Sequence, residues 1–268
     1  MEYRELGETG EMIPEVGLGT WKYKGGDALL LRGVQLGAFL IDTAEMYRNE
    51  ERAGQAIKGI RKQVFLATKV LGSNLRHDSV LRAAETSLRL LDIDHIDLYQ
   101  IHWPNSSVPI KETMGAMAEL VRRGTIKHVG VSNFSKRELQ EAQASMPNVP
   151  IVSNQVLYHL KRRNIEQELL PYCQENGVTV MAYTPLADGS LTSVPRLRGD
   201  SRLETLNGVA TEAGKTMAQV ALNWCTSHQN VMVIPKSNSV DRTEENCGAS
   251  GWRLSAEHIT QLEKTFRS

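Results

Sequence analysis

Net charge is the first thing this 268-residue chain lacks: 31 lysines and arginines meet 31 aspartates and glutamates. A nucleic-acid partner would want a basic face, so that class of function is set aside. Long apolar runs are missing too. No stretch of about 18 apolar residues exists to span a bilayer, and Met1 to Glu5 lacks the basic-then-apolar pattern of a secretory signal. A cytoplasmic chain with no membrane partner is expected. Cysteine is scarce. Cys173, Cys225 and Cys247 are odd in number and form no CxxC pair, which excludes a disulfide framework and a zinc knuckle and points to reduced, buried thiols. Several functional signatures also fail. Gly17-Leu18-Gly19 runs on into Thr20-Trp21-Lys22, so the Rossmann fingerprint GxGxxG is absent, as are GxxxxGK[ST], HExxH and GxSxG. The seven histidines stand singly without metal-ligand spacing, and no metal is expected.

What is present is an ordinary globular composition, 41% apolar and 23% charged, with no low-complexity window and no linker. One domain over residues 1–268 is expected. Eight short apolar runs recur along it: Val16–Gly19, Phe39–Asp42, Val64–Ala67, Ile96–His102, Ile126–Ser132, Ile151–Gln155, Val178–Tyr183 and Val231–Ile234. Amphipathic stretches separate them. Ser79 to Leu91 puts Val80, Leu81, Ala84, Leu88 and Leu91 on one side, with Asp78 as its expected cap. Ser135 and Glu138 form a capping-box pattern before Lys136 to Ala144. Uniformly apolar strands between helices are parallel and covered on their outer face. Eight such units at this length predict an α/β fold, a closed (β/α)8 TIM barrel. Tyr3–Leu6, a Gly7–Gly10 turn and Glu11–Pro14 read as an N-terminal β-hairpin capping the barrel mouth. The long gap before Val231 and the stretch after Asn246 predict extra C-terminal helices, the last with Ser255 as cap and Ile259, Leu262 and Phe266 along one side.

The ends of barrel strands carry catalytic residues, and here each apolar run gives way to something polar. Thr20, Asp42, Lys69, His102, Ser132 with Asn133, Gln155, Tyr183 and Lys236 follow in order. Each alone fits an ordinary role: Lys69 a solvated strand end, Asp42 a turn cap, His102 a structural histidine, Tyr183 a core aromatic. Lys161-Arg162-Arg163 reads as a solvated approach to a helix. Together the strand ends set an acid, two lysines, a histidine and several amides around one rim.

Those residues resemble the aldo-keto reductase family. The resemblance is carried by Asp42-Thr43-Ala44-Glu45-Met46-Tyr47-Arg48-Asn49-Glu50, Thr68-Lys69, Ile101-His102-Trp103-Pro104, Gly130-Val131-Ser132-Asn133-Phe134, and Ile234-Pro235-Lys236-Ser237 with Arg242, Glu245 and Asn246. These five motifs run in the family's order from about Gly17 to Asn246. One departure is Arg48, where many members carry glycine. The resemblance implies reduction of a small-molecule carbonyl by NADPH, a reaction of class EC 1.1.1, with Asp42, Tyr47, Lys69 and His102 as catalytic residues. It implies cofactor contacts at Gly19, Thr20, Asp42, Ser132, Asn133, Gln155, Tyr183, Pro185, Leu186, Lys236, Ser237, Asn238, Arg242, Glu245 and Asn246. Within that set, Tyr183 would stack on the nicotinamide, and the basic cluster with Arg242 would favour NADPH over NADH. Trp21, Tyr47, His102 and Trp103 would line an apolar substrate pocket.

The chemistry suits these residue types. A carbonyl needs a hydride on carbon and a proton on oxygen, and Tyr47 can supply the proton. A free tyrosine has a pKa of about 10; a nearby Lys69 ammonium is expected to lower it, with Asp42 keeping Lys69 charged despite partial burial. A neutral His102 would orient the carbonyl oxygen. Two alternatives remain open: a Schiff-base aldolase using Lys69 or Lys236, and a non-enzymatic nicotinamide-sensing subunit of the same fold. The short loop Trp103–Pro109 and the absence of a long C-terminal loop predict an open, permissive pocket. The segment from Leu186 to Arg202 is expected to fold over the cofactor, and a monomer is expected.

Overall fold

The computed structural model describes residues 1–24, 26–192 and 199–267. Two strands, β1 (Tyr3–Glu5) and β2 (Met12–Pro14), pair antiparallel, with Leu6 N–H donating to Glu11 C=O at 2.8 Å across the turn. Eight further strands form one parallel sheet in chain order: β3 (Leu18–Gly19), β4 (Leu40–Asp42), β5 (Phe65–Val70), β6 (Ile96–Ile101), β7 (Ile126–Ser132), β8 (Ile151–Leu157), β9 (Thr179–Tyr183) and β10 (Val231–Val233). The sheet closes on itself. Val16 pairs parallel with Val233, Gly17 N–H donates to Val233 C=O at 2.8 Å, and Val233 N–H donates to Glu15 C=O at 2.9 Å. Gly19 is required at this seam, because a Cβ there would stand 2.7 Å from the Ile234 carbonyl oxygen.

Strands buried on both faces explain the apolar runs: every residue of β5 and β6 is buried. Inside the barrel Leu40, Phe65, Ala67, Leu98, Met181 and Met232 form one cluster, and the hairpin pushes the fully buried Leu6 and Ile13 into it. The hairpin therefore plugs the N-terminal end, and the opposite mouth is left for chemistry.

Helices α1 (Asp27–Gln35), α2 (Glu50–Ile57), α3 (His77–Leu91), α4 (Ile110–Arg122), α5 (Lys136–Ala144) and α6 (Leu169–Glu175) follow the strands. α7 (Ser201–Ala213) and α8 (Met217–Thr226) occupy the long gap before β10, and α9 (Val240–Cys247) and α10 (Ala256–Thr265) come last. The capping box at Ser135 and the cap at Ser255 both form. Asp78 is not a cap. α3 begins one residue earlier, at His77, so Asp78 lies inside the first turn, and its carboxylate meets the His77 ring at 3.0 Å. Of Lys161–Arg163, Arg162 is exposed as expected, but its two neighbours are not merely solvated. Lys161 Nζ donates to the Ser190 backbone at 3.3 Å, and Arg163 pairs with Glu166 at 2.8 Å while lying over the Trp224 ring. Of the expected cofactor loop, residues 193–198 lie outside the described residues. Among the described residues, no helix is long and apolar enough to cross a membrane.

Candidate active site

A cavity of about 590 Å³ opens at the C-terminal mouth of the barrel. Its floor is built from strand ends. Asp42, the last residue of β4, and His102, which follows β6 directly, line it, and Lys69, the last but one of β5, lies behind them. Tyr47 comes from a single 3₁₀ turn, Glu45–Tyr47, just beyond β4.

Lys69 is fully buried, not partly. Its ammonium donates to Asp42 Oδ1 and Oδ2 at 2.8 and 2.7 Å, to the Thr43 carbonyl at 2.9 Å and to Tyr47 Oη at 3.4 Å. Burial alone would drive the ammonium toward neutrality, but the Asp42 charge, then Tyr47, outweigh it and hold its pKa above the ordinary lysine value. Asp42 is in turn fixed by Gln155, whose Nε2 donates to Oδ1 at 2.8 Å.

Tyr47 departs from expectation. Its pKa lies above the ordinary tyrosine value because burial is the largest influence; Lys69 pulls it down, and Asp42 pushes it back up. An ammonium neutralised by its own carboxylate is a weaker acidifier than an isolated one. Tyr47 is accordingly a phenol at neutral pH. The His102 ring meets it edge-on, with centroids 5.6 Å apart. Burial, and then the Lys69 charge, lower the His102 pKa to about 4, so its imidazole is neutral. His102 Nδ1 is buried without a hydrogen-bond partner among the described residues.

Gly19, Trp21, Trp103, Ser132, Asn133, Gln155, Tyr183, Pro185, Leu186, Lys236, Ser237, Asn238, Arg242, Glu245 and Asn246 all line the same cavity. Thr20 does not: it is 1% exposed, and its hydroxyl donates to the Asp42 carbonyl at 2.9 Å, pinning β3 to β4 behind the wall. Asn133, at φ +62°, accepts from Tyr183 Oη at 3.0 Å and donates to the His102 carbonyl at 3.1 Å, so it ties three strand ends together. The wall also contains residues that the strand-end pattern passed over, among them Lys22, Met46, Thr184, Asp188 and Ala218. Lys22 and Met46 sit beside marked residues and could have been found by extending the rim one position. Ala218 comes from α8 and carries no sequence signal. Positive charge accumulates at one side: the Lys236 pKa is lowered, first by burial and then by Lys24 and Lys22. Arg242 on the same side is paired with Glu245 at 2.5 Å, while the lysines repel one another's charge and so favour an anion between them.

A family model described as "Aldo/keto reductase family" matches residues 15–266. The chain is 40% identical over 266 residues to methylglyoxal reductase YeaE of Escherichia coli (strain K12), covering 95% of this chain and 91% of that protein. It superposes on a thermostable aldo-keto reductase, Tm1743, solved with the inhibitor epalrestat, at a TM-score of 0.92 and 41% identity, covering 99% of this chain and all of that one. A Klebsiella pneumoniae aldo/keto reductase solved with NADP and acetate matches at a TM-score of 0.86 and 36% identity, covering 97% of this chain and 94% of that one.

Proposed function

This chain belongs to the aldo/keto reductase family, and from that premise we propose that it reduces small aldehydes and ketones to alcohols, with NADPH as the hydride source. The observation that carries the reading is the buried Lys69 ammonium, paired with Asp42 and 3.4 Å from Tyr47 Oη, directly behind a cavity lined by Asp42, Tyr47 and the neutral His102 imidazole.

The residues fit the cofactor. Lys22, Lys236 and Arg242 offer charge for phosphates, with Ser237 and Asn238 beside them. Ser132, Asn133 and Gln155 would face the carboxamide, and Tyr183 would stack on the ring. When bound, NADPH supplies a hydride to the carbonyl carbon. The neutral His102 orients the carbonyl oxygen by hydrogen bonding. Tyr47 gives that oxygen its proton, and the Lys69 ammonium stabilises the phenolate left behind. Asp42 keeps Lys69 charged throughout. A Schiff-base role for Lys69 loses its support, since a buried, charged amine with its protons engaged is no nucleophile. The whole chain acts as one catalytic barrel, and the mouth formed by Trp21, Met46 and Trp103 suits small, partly apolar carbonyls. Dicarbonyls such as methylglyoxal, named in the YeaE relative, are the substrates to assay first.

The test is Tyr47→Phe. Its kcat for NADPH-dependent reduction should fall by about 10²–10⁴-fold, with NADPH affinity nearly intact. A variant that keeps more than about a tenth of the wild-type kcat would refute the proton-donor role. Arg242→Ala should weaken NADPH binding far more than NADH binding, and equal losses would remove the phosphate assignment.

A further inference from the structure

Tyr47 belongs to no strand. It rides on the connection between β4 and α2, so the distance from its hydroxyl to Lys69 depends on what anchors that connection. Three side chains of the segment reach three different places. Glu45 accepts from the Leu71 backbone N–H at 2.7 Å and from the Asn74 amide at 2.6 Å, just past β5. Asn49 uses both ends of its amide: Oδ1 accepts the Thr43 hydroxyl at 2.9 Å, and Nδ2 donates to the Thr20 carbonyl at 2.8 Å. Glu50 Oε1 accepts the Thr68 hydroxyl at 2.6 Å.

The partners matter more than the number of bonds. Thr43 follows Asp42 and gives its own carbonyl to Lys69 Nζ at 2.9 Å. Thr68 precedes Lys69. Thr20 donates from both its N–H and its hydroxyl to the Asp42 carbonyl, at 3.0 and 2.9 Å. Asn49 and Glu50, adjacent in the chain, therefore grip the residues flanking each half of the buried ion pair.

Both residues forgo the local role their positions offer. An asparagine at a helix start ordinarily caps it, yet the Asn49 side chain makes no capping bond to α2. A glutamate in the first turn ordinarily sits in solvent near the positive helix end, yet Glu50 is 2% exposed. The left-handed turn at Arg48, φ +54°, reverses the chain between Tyr47 and these two residues.

We infer that Asn49 and Glu50 are positioning residues for proton transfer, a two-residue clamp that sets the Tyr47–Lys69 separation by holding the threonines beside Asp42 and Lys69. The inference rests on the reading of Tyr47 as proton donor. Its physical content is that a short hydrogen bond inside a low-dielectric wall fixes geometry more firmly than an exposed one. Releasing the clamp lets the Tyr47 hydroxyl drift from the ammonium, which then stabilises the phenolate less.

Two signatures follow. Reduction should slow without loss of binding, since misplacement by about 1 Å can cost up to 10²-fold. The basic limb of the kcat–pH profile for reduction should move upward, because a less stabilised phenolate means a higher phenol pKa. A residue that only held α2 in place would lower thermal stability and leave that limb where it was.

The experiment compares Asn49→Ala, Glu50→Ala and Thr43→Val with the conservative Thr43→Ser and Glu50→Gln, all in the full-length enzyme. It measures kcat and KM for methylglyoxal, NADPH affinity by fluorescence, and the pH profile of kcat. The first three should lose about 10- to 100-fold in kcat, with KM and NADPH affinity little changed and the limb displaced upward. The two conservative variants should recover most of the rate. If Asn49→Ala does not fold, Thr43→Val, which keeps the side-chain shape and removes only the hydroxyl, carries the test. Wild-type kcat and an unmoved limb in Thr43→Val and Glu50→Ala would overturn the clamp, as would a Thr43→Ser variant damaged as badly as Thr43→Val. If Tyr47→Phe itself stays active, the proton-donor reading falls and takes the clamp with it. If Tyr47→Phe is inactive while the clamp variants behave as wild type, the clamp alone is wrong.

Discussion

At the N-terminal end of the barrel, Glu15 is completely buried and met on both oxygens: Arg253 donates at 3.0 and 2.8 Å, and Arg4 at 3.2 Å. Burial pushes that carboxyl up, but its hydrogen bonds to Arg253 and Ser250 and the arginine charges outweigh it, so its pKa lies below the ordinary value. At the C-terminal end the pairing is incomplete. Asp42 and Lys69 satisfy each other, but His102 Nδ1 has no partner among the described residues, and Lys22 and Lys24 repel Lys236. Backbone strain is concentrated on the same side, though Asp92 and Asn230 carry it at the N-terminal end as well. Among the described residues, Lys22, Arg48, Asn133, Thr184, Ala187 and Asp188 all hold left-handed backbone on the loops of this face. The N-terminal end also has Arg4 Nε buried without a partner among the described residues, but only at the C-terminal end do such positions gather around one cavity, as expected of a face that gains its partners when ligands bind.

The largest test of this contrast is Lys69→Met. It should lower kcat at least as far as Tyr47→Phe does, and it should cost about 3–5 kcal/mol of stability, because Asp42 is left buried without its cation. Chemical denaturation alongside turnover would separate the two losses. If activity survives, the buried pair belongs to the fold alone.

Acid should then distinguish the two ends. His102 and His159 both have pKa values lowered to about 4, chiefly by burial. An unfolded histidine titrates near 6.5, so each folded neutral ring stabilises the protein fully above that pH and loses its contribution as pH falls toward 4. Partial solvent access screens both rings, so each is worth on the order of 1–2 kcal/mol. Glu15, with its pKa depressed, contributes above its unfolded value of 4.5 and is lost only below it. Denaturation midpoints should therefore already fall between pH 6.5 and 4.5, and His159→Asn should remove part of that fall. A flat profile across this window would mean the C-terminal face holds its histidines no differently from solvent.

A smaller effect is expected of Glu15→Ala. It strands Arg4 and Arg253, whose side chains are 20% and 39% exposed and can take water instead. We expect a loss of about 1–3 kcal/mol, with kcat unchanged. A large fall in kcat would erase the distinction between the ends. Smallest is Arg48→Gly, which relieves a left-handed residue and should raise stability by about 1 kcal/mol, read as a modest rise in Tm. No gain would show that strain on this face costs nothing.

Much of this face was legible in the chain because a strand end is a local event. Asp42, Ser132 and Tyr183 are the final residues of β4, β7 and β9, and an apolar run giving way to a polar residue marks such a position without reference to the rest of the molecule. The capping box at Ser135 and the cap at Ser255 were readable for the same reason: each involves residues three apart. The glycine-favouring site at Arg48 showed as a departure from pattern, and its φ of +54° explains the preference.

Sequence by itself thus determined the alternation of strands and helices, the hairpin and the rim residues, since periodicity and capping act over a few neighbours. Only the tertiary structure decided what those residues became. Thr20 was turned into the wall by its bonds to Asp42, Gln155 was joined to Asp42 from the far side of the barrel, and Asn49 and Glu50 were turned away from their own helix. The pKa values of Tyr47 and His102 were likewise set by burial and by charges from other strands. The physical reason is range: backbone preference is local, whereas desolvation and Coulomb fields depend on whatever distant segments the closed barrel packs alongside.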